Sequence, residues 1–283
     1  MKKEIKEFKT IDGKDIVRIT TSDERWYCKP IENRETGLPE YQYVPSVTWI
    51  SGHYPKGIGF YKWLANKGWD ESEAIKEAAG DKGSKVHQAI EKLINGGAIK
   101  MEDRVLNPST GELEEIEVAE YECLMSFTEW FKEAKPEVIA NEITAFNDKI
   151  GYAGTIDMIC RIDGKIYIID FKTAQTVWPE HEIQLSAYSQ LELRLEELKI
   201  KPEEWANRSL AILQIGYRRN KNGWKFTETD NKFELFKAAK QIWQNECGEM
   251  KPSQKDYPLV LSMEDIEPEE KVEKKINKGR SKK

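Results

Sequence analysis

Cysteine and histidine are both scarce in this chain of 283 residues. The four cysteines, Cys28, Cys123, Cys160 and Cys247, are scattered, with no CxxC pair. That argues against a disulfide framework and against a four-cysteine zinc or iron–sulfur site, and favours a reducing cytosol. No apolar run approaches the ~20 residues needed to span a bilayer, so no membrane association is expected. The opening stretch MKKEIKEFKTIDGK is charged and has no apolar centre, unlike a secretory signal. Internal repeats and linkers rich in Pro, Gly or Ser are also missing. The length then reads as one large domain with ample material for a core.

Charge is plentiful but unevenly placed. The net charge is −6, which argues weakly against non-specific nucleic-acid binding. Yet the last thirteen residues, KVEKKINKGRSKK, hold seven basic residues and one acid, so the remainder carries −12. Just before them EDIEPEE packs five acids into seven positions. Residues 263–283 are therefore expected to be a solvated, disordered tail. It would aid solubility or, alternatively, tether DNA.

Residues 1–262 are expected to form the single domain. Residues 1–50 look β-rich, from DIVRITTSDERWYCKPI to YQYVPSVTWI, which ends them in a β-branched, aromatic segment. Residues 58–135 read as mainly helical, interrupted by the turn-prone NPSTGE, and VAEYECLMSFTEWFKEA stops at Pro136. Residues 136–250 alternate strands with helices: EVIANEITAFN, YAGTIDMICRI and KIYIIDFKT, a helix over HEIQLSAYSQLELRLEEL, the hairpin SLAILQIGYRR–GWKFTETD, and a last helix. The fold class is α/β, a central mixed sheet flanked by helices, with an N-terminal β/helical extension.

One hairpin carries most of the chemical information. Asp163-Gly164 suits a two-residue turn with both residues at positive φ. Such a turn pairs Ile162 with Lys165 and sets Asp157 opposite Asp170, with Cβ atoms about 5 Å apart. Lys172, two residues on, emerges on the same face. Ile159, Ile166 and Ile168 share that face, while Ile156, Met158, Cys160 and Ile162 take the other. Both faces of the hairpin therefore expect cover. Two facing carboxylates in such a place repel each other and lose hydration, at a cost of several kcal/mol (on the order of) unless compensated. A divalent cation with Lys172 beside it supplies the compensation. The plainer alternative puts both acids in water at the sheet's end.

Further residues invite two readings each. His87, Ile90 and Ile94 follow helical spacing, which makes His87 either a satisfied core residue or a ligand; Gly83 on the same stripe leaves room for close approach. Gln184, Tyr188, Leu191, Leu195 and Leu198 form one helical face, with polar company at its N-terminal end. Glu142 is a second-metal or supporting acid, or an edge-strand charge. Ser46 and Thr48 offer hydroxyls to a phosphate, or serve β-propensity alone. In YRRNKNGWKF, the residues Arg218, Arg219, Lys221 and Trp224 have the composition of a strand-tracking surface, and HYPKGIGFYKWLANKGW has the same flavour. Aromatics of either stretch also suit an ordinary core.

Five stretches in order, PSVTWI (45–50), KGSKVHQAIEKLI (82–94), GTID (154–157), IDFKT (169–173) and QLSAY (184–188), resemble the PD-(D/E)XK nuclease superfamily in its RecB-like branch. They look most like phage-type exonucleases related to the mitochondrial genome maintenance exonuclease. The resemblance implies a restriction-endonuclease-like core, with Asp157 and Asp170 as metal-binding carboxylates and Lys172 as the catalytic lysine. It implies further ligands in His87 and the Phe171 main-chain carbonyl, and support from Gln184 and Tyr188. Mg²⁺ or Mn²⁺ is the expected cofactor. No iron–sulfur cluster is expected, because only Cys247 lies near the end. The implied substrate is DNA that is single-stranded or has free ends, cleaved in the cytoplasm of a bacterium or a phage-infected host, with phage or host recombination proteins as partners. The alternatives are a non-catalytic DNA-binding or assembly subunit on the same fold, an endonuclease, or an RNA-specific nuclease.

Overall fold

A computed structural model describes residues 4–9, 15–20, 24–32 and 39–248. The tail expected over 263–283 lies outside the described residues. Strands β1 (Glu4–Lys9), β2 (Asp15–Thr20), β3 (Arg25–Glu32) and β4 (Pro39–Pro45) pair in order as an antiparallel sheet. Helix α1 (Val47–Gly52) follows, where the β-branched and aromatic residues had favoured a strand end. Local capping decides otherwise. The Ser46 hydroxyl accepts the Trp49 N–H at 3.0 Å and starts a helical turn that propensity alone does not announce.

Helix α2 (Ile58–Lys67) leads into α3 (Trp69–Ile94), which runs unbroken through Gly80 and Gly83. Strands β5 (Arg104–Leu106) and β6 (Leu113–Glu115) make a small hairpin around NPSTGE. Helix α4 (Val118–Ala134) ends at Lys135, whose φ of 47° is left-handed, just before Pro136. Strands β7 (Glu137–Asn147), β8 (Tyr152–Ile162) and β9 (Lys165–Lys172) follow, then α5 (Pro179–Tyr188) and the short α6 (Pro202–Ala206). The described residues close with β10 (Ser209–Ile215), β11 (Trp224–Thr229) and α7 (Phe233–Cys247).

The central sheet has the order β11-β10-β9-β8-β7. Only β9 and β10 are parallel, joined by the crossover through α5 and α6, so the sheet is mixed as expected. Both faces are covered. Val47 and Ile50 of α1, Ile183 and Leu185 of α5 and Phe236 and Trp243 of α7 pack on Ile159, Ile166 and Ile168. On the other face, Val86 and Ile90 of α3 and Phe127 and Trp130 of α4 pack on Met158, Cys160, Ile169 and Phe171.

The β8–β9 turn keeps its expected register: Ile162 pairs with Lys165 and Met158 with Ile169. Asp163 and Gly164 have φ of 48° and 79°. One residue departs from expectation. Ile156 joins the core beneath α5, with Ile159, and not the face of Met158 and Cys160. Side-chain alternation therefore breaks at Asp157. A second correction concerns the helix read over 181–198, which stops at Tyr188. The carbonyl of Ser189 is taken by Arg208 at 2.6 Å and that of Gln190 by Asn147 at 2.7 Å, so neither is left for a further helical turn. Leu191, Leu195 and Leu198 still pack on the same core, from an irregular segment.

Gly154 of β8 lies under the Tyr188 ring. A Cβ there would sit 2.6 Å from Tyr188 Cε1 and 3.1 Å from Val47 Cγ2, both packed groups with little room to move. Gly154→Ala is therefore expected to destabilise by about 1–3 kcal/mol, measured as a lower denaturant midpoint at unchanged slope.

Candidate active site

Two strands part to make the site. The last paired residues of the β8–β9 ladder are Met158 and Ile169, and beyond them the Phe171 N–H donates to Asp157 Oδ2 at 2.7 Å. A side-chain carboxylate thus takes the place of a backbone acceptor, which fits the broken alternation at this residue. On the other side of β8, Glu142 falls between the pairs Asn141–Met158 and Ile143–Ile156, and so stands opposite Asp157. Its φ is 49°, a left-handed conformation uncommon for a strand residue and costing about 1 kcal/mol or more.

Helix α3 brings His87 onto this junction. His87 Nε2 donates to the Phe171 carbonyl at 3.2 Å. Nδ1 faces Asp157 Oδ1 at 3.4 Å and Glu142 Oε1 at 3.7 Å. One ligand atom from each of His87, Glu142 and Asp157 lies within 4.8 Å of the other two. Gly83, one turn earlier, is where α3 passes Thr173; a Cβ there would lie 4.0 Å from the Thr173 hydroxyl. Asp170 stands next to this trio. It is 1 % exposed, and its Oδ2 meets Lys172 Nζ at 2.6 Å, yet no hydrogen bond of good alignment reaches that oxygen.

The charges are strongly coupled. Burial alone would favour neutral His87, but Asp157 and Glu142 outweigh it and raise its pKa well above the ordinary value. Burial likewise opposes the charge on Asp157, yet His87, Lys172 and the Phe171 N–H hold it below the usual carboxylate range. Asp170 goes the other way: burial, with repulsion from Asp157, pushes it up to about 6 despite Lys172. An oxygen left without a good partner in the interior, beside a histidine and two more acids, fits a divalent cation. Three carboxylates suit Mg²⁺ or Mn²⁺, and an imidazole adds affinity for the latter. Because His87 Nε2 is held by a backbone carbonyl, its Nδ1 is the nitrogen free to ligate. The Phe171 carbonyl, implied as a ligand, serves here as that orienting acceptor.

Cation binding must displace the proton from His87 Nδ1 and any proton on Asp170, so affinity is expected to rise with pH. For Mn²⁺ followed by calorimetry, the dissociation constant should fall about tenfold or more between about pH 5.5 and about pH 7.5. A constant unchanged across that interval would remove these two residues from the ligand set.

The other sequence-derived residues fall into place unequally. Gln184 donates to the Tyr188 hydroxyl at 2.5 Å and reaches Thr48 Oγ1 at 3.4 Å. Among the described residues neither bonds Lys172, whose partner is Asp170. Ser46 caps α1 and is buried. Arg218, Arg219 and Lys221 are exposed on the β10–β11 turn, and Arg219 reaches Thr176 in the loop after Lys172. Trp224 is half-buried and packs partly against the second core, the other reading open to these aromatics.

Three features escaped the sequence reading. Gln175 clasps the turn to the loop after Lys172, donating to the Gly216 carbonyl at 2.7 Å and accepting the Arg218 N–H at 2.9 Å. His181, in the first turn of α5, is pushed down to about 3 by burial and by Lys172 and Lys56, and is therefore neutral. Only the helix-start signature of Pro179 hinted at its place. Lys85 is buried in an ion pair with Glu120 at 3.0 Å and braces α3 against α4, which no local pattern revealed.

A model of the PD-(D/E)XK nuclease superfamily matches residues 60–262, and the chain belongs to that superfamily of nucleases. No curated protein matches it. The mixed five-stranded sheet with helices on both faces is the restriction-endonuclease-like core of the superfamily, and metal-dependent hydrolysis of nucleic acid is its chemistry. Among the described residues no helix is long and apolar enough to cross a membrane.

Proposed function

We propose that this chain is a metal-dependent DNA exonuclease of the RecB-like branch, acting on DNA ends or single strands in replication, recombination or repair. The observation that carries the reading is the convergence of His87, Glu142 and Asp157 beside the buried Asp170–Lys172 pair. His87, Glu142, Asp157 and Asp170 would hold Mg²⁺ or Mn²⁺. When bound, the cation supplies Lewis-acid polarisation of the scissile phosphodiester.

The chain's own groups do the rest. Lys172 is aimed by Asp170, placing its side-chain nitrogen where negative charge develops on the phosphoryl group. Neutral His181 leaves the positive end of α5 to the phosphate. Gln184, Tyr188 and Thr48 form a polar wall on the α5 side. Arg218, Arg219 and Lys221 hold backbone phosphates on the turn that Gln175 fixes to the loop after Lys172. Nothing in the site resembles a base-reading module, which supports low sequence preference.

The deciding assay uses end-labelled single- and double-stranded DNA, with either end blocked, and closed circles, with and without Mg²⁺. An exonuclease shortens open ends in Mg²⁺ and spares blocked ends and circles. Nicked circles would replace this reading by an endonuclease. DNA binding without cleavage under any divalent cation would replace it by a non-catalytic subunit.

A further inference from the structure

The backbone ladder between β9 and β10 ends at the pair Lys172–Gln214. Two glutamine side chains carry the connection further. Gln214, buried on β10, donates from Nε2 to the Ala174 carbonyl at 2.8 Å. Gln175, half-buried in the loop after Lys172, donates to the Gly216 carbonyl at 2.7 Å and accepts the Arg218 N–H at 2.9 Å. Bridging two residues that flank a third is what the backbone of a parallel neighbour strand does. A carboxamide carries both a donor and an acceptor, so this one side chain stands in for a missing rung of the sheet.

The turn held in this way has little freedom at its root. The Gly216 N–H donates to Ser126 Oγ of α4 at 2.8 Å, and the Tyr217 N–H to the Gly223 carbonyl at 2.6 Å. Gly216 has a φ of 65°, and a Cβ there would lie 2.5 Å from Cys123 Sγ, so glycine is what lets β10 leave the sheet at this point. Beyond the root, the Arg218 guanidinium is shared with Glu122 of α4 at 3.4 Å. Arg219 is different. It is exposed, reaches Thr176 Oγ1 at 3.4 Å, and has no acid partner among the described residues. A guanidinium free of carboxylates, beside the loop that follows Lys172, suits a phosphate.

Resting on the nuclease reading above, we propose that Gln175 is a positioning residue. It sets the distance between the scissile phosphate at Lys172 and a second backbone phosphate of the same strand at Arg219. Lys172 and Thr176 are four residues apart in the sequence, at most ~14 Å between Cα atoms. Adding the reach from Thr176 to Arg219 gives about 20 Å, or about six nucleotides at ~3.4 Å each. The second phosphate therefore lies within about six linkages of the bond that is cut.

The test compares the parent chain with Gln175→Met, which keeps the bulk of the side chain but makes neither bond, with Arg219→Ala and with the double variant. The substrate is a thirty-nucleotide oligothymidylate in Mg²⁺. Each single variant is expected to raise KM about tenfold with kcat within about twofold, because a phosphate away from the reacting one is held equally before and during the reaction. The slope of log KM against log salt should fall by about 0.7, the share of one single-strand phosphate contact. The double variant should be at most about twofold worse than either single one, since both remove the same contact. A neutral methylphosphonate moved along the strand should cost the parent about tenfold at one position within about six linkages of the cut, and cost Gln175→Met nothing there.

A residue that merely braced the loop would lower kcat and leave the salt slope intact. That outcome overturns the proposal, as do KM losses that multiply to about a hundredfold in the double variant. A Gln175→Met chain that fails to fold makes the residue structural and overturns it too. If the parent cleaves no strand, the nuclease reading has failed, and the same cycle on metal-free dissociation constants, read by fluorescence anisotropy, decides the positioning role. Coupled losses there support it, and independent losses remove it.

Discussion

Asp157→Asn is expected to lower cleavage in Mg²⁺ by about a thousandfold or more, while the metal-free protein melts lower only by the loss of the charge that His87 and Lys172 favour, and so less than in Asp157→Ala. The substitution separates the two jobs of this side chain. As an acceptor, Asp157 Oδ2 closes the end of the β8–β9 ladder by taking the Phe171 N–H at 2.7 Å. An asparagine carbonyl oxygen does the same without charge. As a charge, Asp157 faces His87 Nδ1 at 3.4 Å and shares the cluster with Glu142. That job asparagine cannot do, because a neutral amide is a far weaker ligand for a hard cation. Asp157→Ala removes both and should cost further stability, by about 1–3 kcal/mol for the buried N–H left unpaired. Single-turnover rates on labelled DNA and thermal melts of both variants read the two effects independently. Activity of Asp157→Asn within about tenfold of the parent would mean that the reacting phosphate is not held here.

The hairpin that builds this centre was legible because its signals are local. Asp163-Gly164 fixes the turn, the turn fixes the register, and the register holds as far as the last paired residues, Met158 and Ile169, one step short of the expected pairing of Asp157 with Asp170. What lay beyond local rules was less visible. The alternation that placed Ile156 with Met158 assumes a regular strand, and Asp157 breaks it by turning into the gap between strands. The left-handed Glu142 has no sequence signature, since only its neighbours in space hold it there. At 181–198 the leucine spacing continued past Tyr188, but Arg208 and Asn147, distant in sequence, capture the carbonyls that another turn would need. Ser46 shows the reverse case, a capping serine legible in principle but masked by the strand-like VTWI that follows. Lys172 was placed correctly next to Asp170, whereas its support by Gln184 and Tyr188 came from resemblance and does not appear among the contacts of the described residues.

Asp170→Asn should do something a purely structural residue would not: make the metal-free protein more stable. Asp170 is buried, and its Oδ2 has the Lys172 ammonium nearby but no aligned donor. Burial and the Asp157 charge push its pKa up to about 6. The folded chain therefore binds this proton more tightly than the unfolded chain does. Stability attributable to the proton is complete below the ordinary carboxylate range and is lost as pH rises through about 6. At about pH 8 the ionised group costs on the order of 2–3 kcal/mol, which asparagine relieves. Melting temperature should rise by about 5 °C or more at that pH, and the gain should vanish near about pH 4, where the parent is already protonated. The same variant should lose the melting shift that saturating Mn²⁺ confers on the parent, about 2.7 kcal/mol at a hundredfold excess over the dissociation constant. Greater metal-free stability and lost metal response in one variant would identify a carboxylate kept at a structural cost because a cation needs it. A variant that melts lower than the parent in both conditions would make Asp170 a structural partner of Lys172 and nothing more.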